Sequence, residues 1–351
     1  MCYFGAYSRD SVRTINNIKA LKKAGIEVVE CWDRSVLPLR YLRLIKKHIG
    51  LKYDVMIVGW YGHSVLPLAK LITRKPIVLD AFIGLYETEV IDRKNIKSNS
   101  LRAKLYHYLD KCHFILADVC LVDTAAHRDY FCENFKVKRG KFKIFFVTTD
   151  DEFYYPKEVT KKDGVFRVLF EGGYTPLHGI EYIIEAAKLL ESESDIVFEL
   201  IGSGQTYEEI RSLSSRMNIR NIEFLPWMDY YKELPNYIAK ADVCLGIFSK
   251  GIKASNVIPT KAVDALAMKK PLITGDSPAA RELLKNQENC ILVPMANSKA
   301  LAEAILKLKN NDRLRQHIAQ NGYELFKQRL SPEVIGRELK SSFHSVLKSD
   351  K

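Results

Sequence analysis

The feature that most limits what this chain can fold into is an alternation that runs through it twice. Short continuous apolar runs, such as "DVMIVGW", "PIVLDAF", "IVFELIG" and "DVCLGIF", take turns with segments whose apolar residues recur at helical spacing, such as "DSVRTINNIKALKKAG" and "HGIEYIIEAAKLLESE". A strand that is apolar on both sides must be covered on both sides. Strands of that kind alternating with helices predict a parallel sheet between two helical layers. The alternation breaks once, at "TTDDEFYYPKEVTKKDG" (148–164), a polar stretch with Pro156 and no periodicity that reads as a linker. It then restarts and ends in a wholly helical stretch from about 297. The expectation is two open α/β domains, residues 1–155 and 156–331, followed by a last helical segment 332–351. Ligands of open α/β sheets sit at the carboxyl ends of the strands, and a cleft between the two domains is the expected site.

At 351 residues the chain is long enough for two such domains. Its charge is uneven. The formal net charge is +12, and residues 1–150 carry 26 Lys and Arg against 15 Asp and Glu, so nearly all the excess lies in the first half. A basic surface attracts phosphate-rich polymers, anionic lipid headgroups or acidic small molecules, although lysine-rich surfaces also serve solubility alone. A nucleic-acid reading rests on net charge only and ranks last, for want of a recognisable motif.

The seven cysteines are odd in number, form no CxxC pair and sit partly inside apolar runs, as in "ADVCLGIF". They read as small buried apolar residues in a reducing compartment. The eight histidines show no HExxH or Cys/His ligand spacing, so no metal site is expected. "MCYFGAYS" lacks the basic start and apolar core of a signal peptide. The longest apolar stretch (55–72) is interrupted by Gly59, His63, Pro67 and Lys70 and reads as strand, loop and helix, not as a membrane span. The expected location is the cytoplasm, with the inner face of the cell membrane as a candidate docking surface. "LRYLRLIKKHIG" (39–50) puts Arg40, Arg43 and Lys47 on one helical face. It suits either a membrane-surface helix or one that packs on the sheet and solvates its charges.

Four stretches carry chemistry. "FEGGYTPLHGIEYIIEAAKLL" (170–190) is a strand, a glycine turn at Gly172 and Gly173, and a helix after His178 and Gly179. Such a turn lets the backbone approach an anion with a helix N-terminus behind it, or simply makes a strand-to-helix turn. "LIGSGQ" (200–205) is a second strand with a GxG turn, and "FLPW" (224–227) a third strand end. In "SNVIPTKAVDALAMKKPLIT" (255–274), Pro259 or Thr260 opens a helix and leaves backbone N–H groups free, with Lys261 in the first turn. Free amides, a helix dipole and an ammonium group in one place suit a diphosphate. Asp264 is placed to accept hydrogen bonds from ribose hydroxyls. Taken one at a time, Lys261 and Asp264 read better as surface residues; together, at strand ends of one α/β domain, they favour the diphosphate reading.

In this order the motifs resemble retaining GT-B glycosyltransferases of the family 4 type (glycosyl transferases group 1), strongly over about 165–300. The resemblance implies two Rossmann-like parallel-sheet domains facing each other across a cleft, the second binding a nucleotide-sugar. It places the base near Trp227 and Met228, the diphosphate at Gly173, Thr260 and Lys261, the ribose at Asp264 and the sugar near Asn256. It also implies that the last helix, about 332–348, returns to the first domain.

The departures are specific. The family's Glu-x7-Glu pair stands here as Asn256 and Asp264, which removes a carboxylate at the sugar and shortens the one at the ribose. The usual Arg and Lys of the glycine loop stand as Tyr174 and His178, with Lys253 and Lys261 as compensating cations. The first domain has no double-glycine loop, only Gly5 followed by Tyr7, Ser8 and Arg9, and Asp80 replaces the His often found after the fourth strand. Tyr7, Arg9 and Asp80 are the acceptor-side candidates, with capping of a loop an equal reading for Asp80.

The implied reaction is retaining and metal-independent transfer from a nucleoside-diphosphate-sugar, the donor substrate, to a hydroxyl of a glycan or lipid-linked glycan. Lys261 and Asn256 are the candidate catalytic residues, no cofactor is expected, and no protein general base is assigned. Two other readings stay open: a non-catalytic nucleotide-sugar or glycan-binding subunit, and a nucleotide-sugar epimerase on the same fold.

Overall fold

The computed structural model describes residues 1–60, 62–160 and 163–349. The chain divides into two compact units, Met1–Thr148 with Pro332–Lys351, and Thr149–Ser331.

The first unit holds a parallel sheet of β1 (Cys2–Gly5), β2 (Val29–Trp32), β3 (Met56–Val58), β4 (Ile77–Asp80), β5 (Val119–Val122) and β6 (Phe142–Ile144), in the order β2-β1-β3-β4-β5-β6. Side chains of a strand alternate between faces, and the two cores follow that period. Cys2, Phe4, Met56 and Val58 enter one core with Phe114 and Phe131. Tyr3 and Ile57 enter the other with Leu21, Ile335, Leu339 and Phe343. The last three come from the helix Pro332–Ser349, four residues apart and so on one stripe. That helix crosses the helix Val12–Lys23 so closely that a Cβ on Gly336 would lie 2.1 Å from the Ala20 carbonyl oxygen, which only glycine permits. Lys340 then donates to the Ala24 carbonyl oxygen at 2.9 Å.

The second unit holds β7 (Phe166–Glu171), β8 (Ile196–Ile201), β9 (Ile222–Leu225), β10 (Val243–Leu245), β11 (Leu272–Asp276) and β12 (Ile291–Pro294), all parallel, in the order β12-β11-β10-β7-β8-β9. The strand order reverses between β7 and β10. Sequential connections leave those two strand ends on opposite sides of the sheet, so a crevice opens where they part. In the first unit the reversal falls between β1 and β3.

The expected linker is corrected. The unit boundary falls after Thr148 rather than at 155, because the segment that follows is packed into the second unit. Tyr154 is fully buried, its hydroxyl donates to the Tyr230 carbonyl oxygen at 2.6 Å, and its ring lies against that of Tyr230. Phe153 meets Tyr231 edge-on.

Candidate active site

At the carboxyl end of β7 the chain turns through Gly172, whose φ of +128° disfavours any side chain. The turn after β8 presses on it. A Cβ on Gly202 would lie 2.0 Å from the Gly172 carbonyl oxygen, and one on Gly204 2.7 Å from that of Tyr174. The glycines of "LIGSG" therefore serve contact between two strand-end turns. Gly172 differs: a Cβ there would meet not backbone but the Lys261 Nζ, at 2.8 Å. Gly173 has ordinary space around it.

Lys261 arrives from the helix Thr260–Ala267, whose N-cap is Pro259. Pro259 has no N–H, and the Thr260 and Lys261 amides precede the helix's hydrogen-bond ladder, which opens with Ala262 donating to the Pro259 carbonyl oxygen at 3.0 Å. The Lys261 side chain runs inward, 8% exposed, and its ammonium stands 3.8 Å from the centre of the Phe170 ring. It makes no hydrogen bond among the described residues. Burial brings it down to about 8, against the pull of Glu171 and Asp264, which favour the charge. Burial likewise raises Glu171.

Asp264, one turn along the helix, is fully buried. Its Oδ1 accepts from the Tyr230 hydroxyl at 2.7 Å, that hydroxyl stands 3.0 Å from the Thr149 Oγ1, and Oδ2 is without a hydrogen bond. Burial, with Glu171 close by, holds its carboxyl well above the ordinary carboxylate range. His178 is buried in the turn Pro176–His178, with Nδ1 3.2 Å from the Thr175 Oγ1 and its ring edge-on to Phe170. Burial, with Lys261 and Lys253 near, holds its imidazole well below the ordinary value, hence neutral. Lys253 and Asn256 are both buried in the helix Ile252–Asn256, which follows β10 and packs against the His178 turn.

The crevice between β7 and β10 thus gathers Gly172, His178, Lys253, Lys261 and Asp264, with Thr260 opening the helix that carries the last two. Met228 lies on the segment after β9, two residues before Tyr230, and Trp227 beside it is exposed. Three contributors were not read from the sequence: Tyr230 and Thr149 on Asp264, and Glu171 beside Lys261. The aromatic pairs in "EFYYP" and "MDYYK" were the available signal, since tyrosines in polar stretches need a place to pack.

Of the acceptor-side expectations, Tyr7 and Asp80 are engaged by side chains of the first unit, and Arg9 is exposed. Tyr7 is buried and fills the crevice at the first unit's reversal, where a Cβ on Gly59 would lie 2.9 Å from its Cβ. Its hydroxyl donates to Glu30 at 2.8 Å. Asp80 is held by Arg13, through Nε at 3.1 and 3.0 Å and Nη2 at 2.6 Å, and by Asn17 at 3.3 Å. Arg9 is exposed on Glu30, with its guanidinium 4.5 Å from the Trp32 ring centre.

The first unit also buries a charged set that sequence reading did not find. His127 reaches Asp123 through Nδ1 at 2.8 Å and Glu87 through Nε2 at 3.1 Å, all three buried. Burial alone would lower the imidazole, but the two carboxylates outweigh it and raise the pKa to about 9.

Residues 151–325 match the family model of glycosyl transferases group 1. The chain belongs to the glycosyl transferases group 1 family through its second unit. An uncharacterized glycosyltransferase of Methanocaldococcus jannaschii is 29% identical over 49% of this chain and 46% of its own length. The phosphatidyl-myo-inositol mannosyltransferase of Mycobacterium leprae is 28% identical over 52% and 47%. These alignments span about half the length of the curated relatives. Among solved structures, Anabaena HepE in complex with UDP and glucose superposes with a TM-score of 0.75 at 16% identity, over 98% of this chain and 99% of that one. At that identity the likeness shows the fold, and the fold class is GT-B.

Proposed function

We propose that this group 1 chain is a retaining glycosyltransferase that takes a sugar from a nucleoside-diphosphate-sugar and transfers it to a hydroxyl of a glycan or lipid-linked glycan. The observation that carries the reading is Lys261: a buried ammonium without a hydrogen bond among the described residues, set against Gly172 where the sheet order reverses, in the first turn of a helix. A buried ammonium without a hydrogen bond is unfavourable unless a ligand supplies the acceptor. A diphosphate supplies it, and the first-turn amides add donors for the same oxygens.

In the proposed reaction the bond from the sugar's anomeric carbon to the phosphate oxygen breaks, and the bond to the acceptor oxygen forms on the same face. The acceptor's proton goes to the departing phosphate. Lys261 and the amides of Thr260 and Lys261 stabilise the charge that develops there. Asn256 lies toward the sugar and Asp264 toward the ribose. The positive charge comes from the protein, so the reaction needs no metal, and chelator is expected to leave its rate unchanged. We read the basic first unit as serving an acceptor that carries phosphate or sits at a membrane. On this reading the chain works at the inner face of the cell membrane.

One observation favours a second reading, a non-catalytic nucleotide-sugar-binding subunit. Asn256 carries no charge, and Tyr230 already occupies one oxygen of Asp264. Turnover separates the two.

The first experiment is a thermal-shift panel with UDP, GDP, ADP, CMP and dTDP on the wild-type chain and on Lys261→Met. Ligand at about 100 times its dissociation constant stabilises by roughly 2.7 kcal/mol. One nucleotide is expected to shift the wild type and not the variant. A flat panel, or equal shifts in both proteins, would sink the donor-site assignment.

A further inference from the structure

The helix Leu39–His48 is unusual on the side that faces water. Its inward side, Tyr41, Leu44 and Ile45, packs into the first unit's core. A helix that merely covers a sheet has a polar outer face. Here Leu39 and Leu42 share the outer stripe with Arg43 and Lys46, at the three- and four-residue spacing that puts side chains together. Leu42 is 64% exposed, and the stripe continues past the helix into Ile49, 75% exposed. Val36 and Leu37, just before the helix, are 76% and 51% exposed. Exposed apolar residues scattered singly mean nothing, but five within fourteen residues form a patch.

The charge around the patch has one sign. Between Asp33 and Asp54 there are six Lys and Arg and no Asp or Glu. Two of the six are used by the fold. Arg40 donates to the Ser35 carbonyl oxygen and to the Ser64 hydroxyl, and Lys47 to the Trp32 carbonyl oxygen and Asp33. Arg34, Arg43, Lys46 and Lys52 are exposed and form no ion pair among the described residues.

We propose that the face from Arg34 to Lys52 docks onto an anionic lipid bilayer, with Val36, Leu37, Leu39, Leu42 and Ile49 entering the headgroup–acyl boundary and the four cations meeting lipid phosphates. Interfacial helices combine these two features, an apolar stripe and flanking cations without acids. A second copy of the chain does not fit the face, because it would set cations against cations. Nucleic acid would use the cations and leave the leucines without a role. No helix among the described residues is long and apolar enough to cross a membrane, so the contact is with the surface. The inference stands on this face and does not depend on the transfer chemistry.

The test is co-sedimentation of the full chain with phosphatidylcholine vesicles and with phosphatidylcholine–phosphatidylglycerol vesicles. Wild type is expected to partition onto the mixed vesicles only, and less so as salt rises. Arg43→Glu with Lys46→Glu is expected to weaken partition by at least about thirtyfold, at roughly one lipid-charge interaction per cation. Leu42→Ser with Ile49→Ser is expected to weaken it too. All four positions are exposed, and an unchanged melting temperature checks that both variants remain folded. Absence of wild-type partition onto mixed vesicles, equal partition onto neutral ones, or variants that bind like wild type would each overturn the proposal. A concentration-dependent dimer that the same substitutions dissolve, without lipid binding, would overturn it in favour of a second copy.

Discussion

The two sheets each reverse their strand order once, beside their first strand, and treat the resulting crevice in opposite ways. In the first unit, Tyr7 fills it, and Tyr7 is itself tied to Glu30. Nearby charges sit in ion pairs, Arg13 with Asp80 and His127 between Asp123 and Glu87, although Asp123 Oδ2 is also without a hydrogen bond. In the second unit the crevice holds glycine, a lysine without a hydrogen bond and a carboxylate with one bare oxygen. Matched charges hold elements together. Charges left bare in a buried place cost stability and are explained by something that arrives later. The contrast shows why strand-end position alone does not mark a site: Asp80 and Asp264 both lie near the carboxyl edge of a sheet, and only one has an oxygen to spare.

The contrast can be broken by experiment. The largest effect is expected from Asp80→Ala, which leaves Arg13 nine-tenths buried without its carboxylate. The loss of stability should be about 3–5 kcal/mol in chemical denaturation, and a loss under 1 kcal/mol would mean that the pair is not structural. Lys261→Met should lower turnover by about 10²–10³, as removal of a charge-stabilising donor does. The same substitution should raise the stability of the free protein by about 1–2 kcal/mol, since the cost of burying the ammonium outweighs the attraction of Glu171 and Asp264. A destabilised Lys261→Met would place the lysine among the matched charges and undo the comparison. Above pH 8 the ammonium loses its proton, so affinity for a nucleoside diphosphate should fall as pH rises from there, by isothermal titration.

His127 gives the intermediate effect, with a definite sign. Its folded pKa of about 9 lies above the ordinary 6.5. Its contribution to stability is therefore full below pH 6.5 and lost as pH rises through 9, about 3 kcal/mol in all. Urea midpoints measured from pH 6 to pH 10 should fall over that window and flatten in His127→Gln. The smallest effect is expected at Arg9, a half-exposed partner of Glu30. Arg9→Ala should cost less than about 1 kcal/mol, and less still in high salt.

Much of this molecule is legible in its sequence because the deciding patterns are local. Continuous apolar runs such as "DVMIVGW" state that both faces of a strand are covered, and a proline followed by a lysine before an apolar stripe states where a helix with a cationic first turn begins. The segment 149–155 was not legible. It is polar and aperiodic, and the residue that anchors Tyr154 lies 76 positions away. Glu87 and His127 are 40 positions apart and meet only after β5 is paired with β4. Tyr7 was misread because a tyrosine beside a strand end looks alike whether it lines a crevice or fills it. The difference is made by Gly59, which has no side chain to keep it out.

The helix Pro332–Ser349 gives the chain a particular order of assembly. As the polypeptide leaves the ribosome, the sheet of the first unit emerges before the second unit, yet one of its two faces waits for Ile335, Leu339 and Phe343, which are made after the second unit. The second unit has its whole sequence available before that happens. Its folding can run to completion while the earlier unit is still open on one side, so a chain cut just after Ser331 would keep the second unit folded and lose the first unit.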